Sequence, residues 1–94
     1  ENSLIKSVLQ GTVVFASWTS DGGYEVHVQH PYNLISVYKH NSVLLKSLGD
    51  KVDPGAAIAI IGDSGNHSDG PHLHFELWRN GVPIDPSQYF AFKE

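Results

Sequence analysis

The sequence contains neither cysteine nor methionine. Without cysteine there is no disulfide and no thiolate metal site, so a chain of 94 residues must rest on its core, its backbone pairing, or a metal held by other donors. The lack of Met even at position 1 argues that the chain does not begin at a natural start codon. Positive charge is scarce: six Lys and Arg stand against ten Asp and Glu, for a net charge of -4. The basic residues are not clustered, which argues against nucleic-acid binding. No apolar run approaches membrane-spanning length, and the opening Glu1-Asn2-Ser3 is not a signal peptide. A signal or anchor would have to lie upstream in a longer parent. Helical periodicity is nearly absent too, and no repeat, low-complexity tract or linker divides the chain.

What is present is a series of short strands punctuated by turns. Leu4 to Val8 reads as a strand ended before Gly11, and Thr12 to Trp18 is rich in β-branched and aromatic residues. Asp21-Gly22-Gly23 is a turn. Tyr24 to His30 alternates, with Tyr24, Val26 and Val28 on one face and Glu25, His27 and Gln29 on the other. Pro31-Tyr32-Asn33 turns the chain into Leu34 to His40, where Ile35, Val37 and Lys39 oppose Ser36, Tyr38 and His40. These three strands predict an antiparallel meander. Asn41 to Leu48 fits a helical turn or a packed loop, and Gly49 to Gly55 is dense in turn residues. Ala56 to Ile61 predicts a buried strand, Gly62 to Gly70 a loop, and Asn80-Gly81 a tight hairpin leading into Val82 to Ile84. A short helical turn from Asp85 would close the chain. The expected fold is all-β: antiparallel sheets in a sandwich or barrel-sandwich, with almost no helix.

The stretch with most chemistry is Gly70-Pro71-His72-Leu73-His74-Phe75-Glu76-Leu77. As a strand running to about Arg79, it turns Leu73, Phe75 and Leu77 to a core and His72, His74 and Glu76 to the other side. The two imidazoles sit roughly 6–7 Å apart along the strand. One can ligate a metal while the other reaches a bound water or a substrate, and neutral imidazole is a good zinc ligand. A bare His-x-His on a wet sheet face is more often inert than functional, by roughly two to one. Its company shifts those odds: a Gly-Pro lead-in, a Gly-containing loop, and His40 on another strand.

In order, Gly11-Thr12-Val13-Val14, Tyr38-Lys39-His40, Gly49-Asp50-Lys51-Val52-Asp53-Pro54-Gly55 with Ile58 and Ile61-Gly62, Ser64-Gly65, and Gly70 to Glu76 resemble the lysostaphin/LytM-type zinc endopeptidases of bacterial cell envelopes. The resemblance covers nearly the whole chain. It implies a duplicated hybrid motif fold, a location in the cell envelope (periplasmic or secreted), and cleavage of peptide in peptidoglycan, with small residues such as Gly or Ala near the cut. It implies that His74 is a zinc ligand and that His72 and His40 are catalytic. Zinc lowers the pKa of a bound water to about 7, and neighbouring imidazoles can take its proton or stabilise the developing oxyanion.

One family element is missing. The family's His-x-x-x-Asp motif, which supplies the other two protein ligands, occurs nowhere in this sequence. Either residues 1–94 are the C-terminal part of a longer catalytic domain, inactive alone, or the protein is a degenerate member that binds and activates another cell-wall hydrolase. On the first alternative an upstream segment or a second chain supplies the missing ligands; Asp63 and Asp69 are weaker substitutes on a loop. The retention of His40, His72 and His74 together favours the first. A biotinyl- or lipoyl-type carrier is disfavoured, because the neighbours of Lys51 do not match a modification motif.

Other residues carry blander expectations. His30 is expected to hydrogen-bond a nearby turn, His27 to be solvated surface, and His67 to be a loop residue. Tyr38 is expected either in the core or, where strand alternation puts it, beside His40 on the site face. Glu76 is expected to orient an imidazole or to form a surface salt bridge, and Trp18 and Trp78 to pack.

Overall fold

The computed structural model describes residues 4–62 and 74–85. Nine strands follow in order: β1 (Leu4–Lys6), β2 (Gly11–Thr19), β3 (Gly23–His30), β4 (Leu34–Asn41), β5 (Val43–Leu44), β6 (Lys51–Val52), β7 (Ala57–Ile60), β8 (His74–Arg79) and β9 (Val82–Ile84). The described part is all-β, and every strand pair is antiparallel. A six-stranded sheet runs β6-β2-β3-β4-β8-β9, and a three-stranded sheet runs β1-β7-β5.

The β2-β3-β4 meander is present as expected, and β8 is added to β4 from far along the chain. The turns follow from residue chemistry. Asn80 and Gly81 both take positive φ, the backbone that lets a two-residue hairpin match the right-handed twist of β8 and β9. Pro31–Asn33 forms a single 3-10 turn between β3 and β4. The segment after β4, expected as a helical turn or loop, instead pairs as β5 with β7. The turn-dense segment yields the short β6, which pairs with the start of β2. In each case a pairing partner distant in sequence overrides weak local preference. The closing helical turn expected after Asp85 lies outside the described residues, as does the strand start before His74.

The core lies between the two sheets. Val13, Val26, Val28 and Tyr38 from the large sheet meet Ile5, Ile58 and Ala59 from the small one, with Val52 closing one side. β7 shows no alternation of burial, because Ile58 and Ala59 point to opposite faces and both are fully buried. Of the two places expected for Tyr38, the core is the one found, and the site face given by alternation is not. Tyr38 is 1% exposed, and its ring packs against Phe75, 5.3 Å between centroids. The hydroxyl lies near Ser36, the Val8 carbonyl and Ser7, and burial raises its pKa above the usual phenol value. With the Tyr38 face turned to the core, the opposite face of β3, β4 and β8 is left to form a cleft.

Candidate functional site

The cleft face is set by register. Lys39 on β4 lies directly opposite His74 on β8, Val37 opposite Glu76, and Ile35 opposite Trp78. Directly opposed residues share a face, so His74, Glu76 and Trp78 join Lys39, Val37 and Ile35 on the side away from the core. Tyr38, opposite Phe75, takes the other side.

Strict alternation would carry His40 to the Tyr38 side, away from His74. A β-bulge prevents this. Tyr24 pairs with Asn41 and Val26 with Tyr38, so the single residue Glu25 faces two residues, Lys39 and His40. His40 takes φ of +59°, a left-handed backbone that a residue with a Cβ adopts at a cost of roughly 1–2 kcal/mol. Its amide is held by a 2.6 Å hydrogen bond to the Gly22 carbonyl. The result is that the His40 and His74 rings meet, with centroids 4.3 Å apart and planes inclined at 59°. His40 is 7% exposed, and Nε2 of His74 is shut off from solvent. Two residues 34 positions apart in the sequence thus form one imidazole pair beside the cleft. His72, the third expected site residue, lies outside the described residues, as do His67, Asp63 and Asp69.

Next to this pair the cleft encloses about 280 Å³ and is bordered by Glu25, His27, Lys39, Glu76 and Trp78 over a floor of Ile35 and Val37. Nζ of Lys39 lies 2.9 Å from Oε2 of Glu76, and the Trp78 indole N–H donates to Oε1 of Glu76 at 3.0 Å. Of the two roles expected for Glu76, the salt bridge is therefore the one found. The hydrogen bond to Glu76 raises the pKa of Lys39 against the effect of burial. Burial pushes the Glu76 carboxyl up, but the bonds from Lys39 and Trp78 and the charge of Lys39 outweigh it and bring the pKa down. Trp78 is thus a cleft wall as well as a packing residue. Trp18, also expected to pack, is 52% exposed and meets Tyr24 edge-on.

His27, expected as solvated surface, is half-buried, with its side chain 28% exposed. Its Nε2 lies 2.7 Å from Oε1 of Glu25, and its ring lies 4.7 Å from that of Phe15. Glu25 is 7% exposed, and its other oxygen accepts from the Thr19 hydroxyl at 2.6 Å. A Cβ at Gly22 would collide with this carboxylate, so glycine there makes room for it. Sequence reasoning missed the Glu25–His27 pair, although two titratable residues at i and i+2 on one strand face were a usable signal. His30 behaves as expected. Its Nδ1–H donates to the Gln10 carbonyl at 2.8 Å, and Nε2 accepts from the Ser36 hydroxyl at 2.7 Å. Burial lowers its pKa, more than the Gln10 bond raises it, which keeps the ring neutral.

The model of peptidase family M23 matches residues 1–86. The chain belongs to peptidase family M23. It is similar to the murein hydrolase activator EnvC of Escherichia coli, 34% identical over 97% of this chain and 22% of that protein. It is similar as well to a lipoprotein NlpD/LppB homologue of Pseudomonas aeruginosa, 42% identical over 84% of this chain and 26% of that protein. The chain thus spans about a quarter or less of these relatives. Among solved structures, a mutant catalytic domain of the prophage-encoded M23 protein EnpA from Enterococcus faecalis superposes with a TM-score of 0.85. That match has 33% identity and covers 94% of this chain and 70% of the other.

M23 membership makes zinc the metal to test against the site. Among the described residues no three His, Cys, Asp or Glu side chains converge on one point. His74 and His40 offer imidazole nitrogens of the right chemistry, but a catalytic zinc takes three protein ligands, and these two do not complete the set.

Proposed function

We propose that the complete protein is a zinc-dependent endopeptidase that hydrolyses peptide bonds in peptidoglycan, in the bacterial cell envelope. The observation that carries this reading is the meeting of His40 and His74 across the bulge, inside an M23 chain. Strained backbone is retained where the surrounding structure over-determines it, and it concentrates at functional sites. Zinc would supply Lewis acidity. In this reading His74 donates a nitrogen to the metal, and His40 and His72 hold and move the protons of the reaction. The segment 1–94 is then the C-terminal part of a longer catalytic domain, with the remaining zinc donors coming from an upstream segment or a second chain.

The test is digestion of purified muropeptides by the full-length protein with zinc, with and without chelator. Chelator-sensitive appearance of new amino termini supports the reading. A second reading is favoured by the similarity to EnvC, itself named as an activator: an M23 chain that binds and stimulates another cell-wall hydrolase. Absence of cleavage, together with stimulation of an added hydrolase, would establish that alternative.

A further inference from the structure

The His40–His74 pair lies beside Lys39, which borders the cleft, and does not account for a third imidazole, His27. His27 borders the cleft, two strands over from His74. It is held by a carboxylate that is itself nearly buried. Burying a carboxylate costs several kcal/mol unless it is fully hydrogen-bonded, and Glu25 receives both Thr19 and His27 for that purpose. A solvated histidine would need no such support. A carboxylate that accepts from one ring nitrogen fixes the tautomer and orientation of an imidazole. Here Nε2–H is turned to the carboxylate, so in its neutral form the ring presents the lone pair of Nδ1.

The backbone reinforces the arrangement. A second bulge, at Val14, breaks the register between Val13 and Phe15 and brings Phe15 opposite His27. The Phe15 ring then backs the imidazole from one side. The rest of the cleft has an apolar floor and a Lys39–Glu76 pair that satisfies itself. A concave apolar surface with a few fixed polar groups is the usual form of a ligand site.

We propose that His27, oriented by Glu25, is a substrate-binding residue: its Nδ1 accepts a hydrogen bond from a backbone N–H of an extended peptide lying along the cleft. His27 shares a row with Val37 and Glu76, and His74 lies two residues before Glu76 on β8. Strand spacing and rise put the two imidazoles on the order of 10–12 Å apart. An extended chain covers that span in about three residues. The N–H read by His27 therefore belongs to a residue about three positions from the bond at His40 and His74. The peptide nature of the ligand rests on the function proposed above, and the two are tested separately.

The experiment measures affinity for soluble muropeptides by titration into the full-length, zinc-loaded protein, with His40→Ala added to prevent turnover. Three further substitutions are compared on that background. His27→Gln retains a donor toward Glu25 but loses the acceptor at the Nδ1 position. His27→Asn places an amide oxygen near the Nδ1 position but cannot reach Glu25. His27→Ala loses both. The proposal expects Gln and Ala to weaken binding by about three- to tenfold, the range of one hydrogen bond, with Asn recovering most of it. If Gln binds like the parent, or if Asn binds no better than Gln, His27 serves only to neutralise Glu25 and the proposal is overturned. It is likewise overturned if the parent binds no muropeptide. Thermal melts of the Gln and Asn variants separate a loss of binding from a loss of fold. Chelator-sensitive cleavage by the unsubstituted protein with a flat affinity series sinks this inference alone. The expected affinity series without cleavage sinks only the endopeptidase reading.

Discussion

His30 and His40 are both buried histidines of the large sheet, 3% and 7% exposed, yet their surroundings differ in kind. His30 sits at the end of β3 with φ of −109°, and its two nitrogens are taken up by the Gln10 carbonyl and the Ser36 hydroxyl. It acts as a polar staple between the start of β2 and β4. His40 sits on a bulge at a left-handed φ, with its ring against another imidazole. A polar group with ordinary backbone and both hydrogen bonds made serves the fold. A strained backbone that brings two imidazoles together weakens the fold locally, and on the proposed function it is retained for the chemistry of the site.

The comparison is broken most directly by removing each ring. On the proposed function, His40→Ala in the full-length protein lowers kcat by about 10²–10⁴-fold, the usual worth of a positioned acid or base, with little change in melting temperature. Retention of more than a tenth of the activity would place His40 with His30 among structural residues. His30→Ala should do the opposite. It strands the Ser36 hydroxyl and the Gln10 carbonyl and costs about 1–3 kcal/mol in a denaturant titration, while activity per folded molecule persists.

Backbone strain gives a sharper contrast. At His40, Gly and Ala variants both lack the ring, so their difference isolates the left-handed backbone. Gly should be more stable than Ala there by about 1 kcal/mol. At His30, in extended backbone, the order should reverse, with Gly the less stable by roughly 0.5–1 kcal/mol. The same sign at both positions in urea denaturation would refute the assigned bulge.

Acid tests the structural role of His30. The pKa of His30 is lowered in the fold, so the unfolded chain binds the proton more readily. The stability due to its neutral ring is fully present above the unfolded value of about 6.5 and is lost as pH falls below that toward the depressed folded value. In wild type the midpoint should fall over that window, and in His30→Ala this component should disappear. The smallest effect is expected on the cleft rim. Lys39 and Glu76 are 30% and 40% exposed, so a double-mutant cycle between them should give a coupling below about 1 kcal/mol that shrinks in salt.

Much of this molecule is legible in the order of its residues. Alternation in 24–30 and 34–39, the unbroken apolar run of β7 and the Asn80-Gly81 turn are local signals, each decided by strand period or by a left-handed turn. His74 and Glu76 on one face with Phe75 and Leu77 on the other follow from the same period of two. What the sequence could not decide is where that period slips. The bulges at Val14 and at Lys39–His40 exist only as mismatches between paired strands. They set Phe15 against His27 and His40 against His74, while Tyr38, whose period is undisturbed, stays in the core. The pairing of Glu25 with His27 depended likewise on the turn at Gly22, which leaves space for a buried carboxylate. The sequence by itself determined the longer strands, though not β5 or β6, and which residues could hold or move a proton. Tertiary structure alone decided which imidazoles meet, because a strand's facing is local whereas its register is a property of two strands.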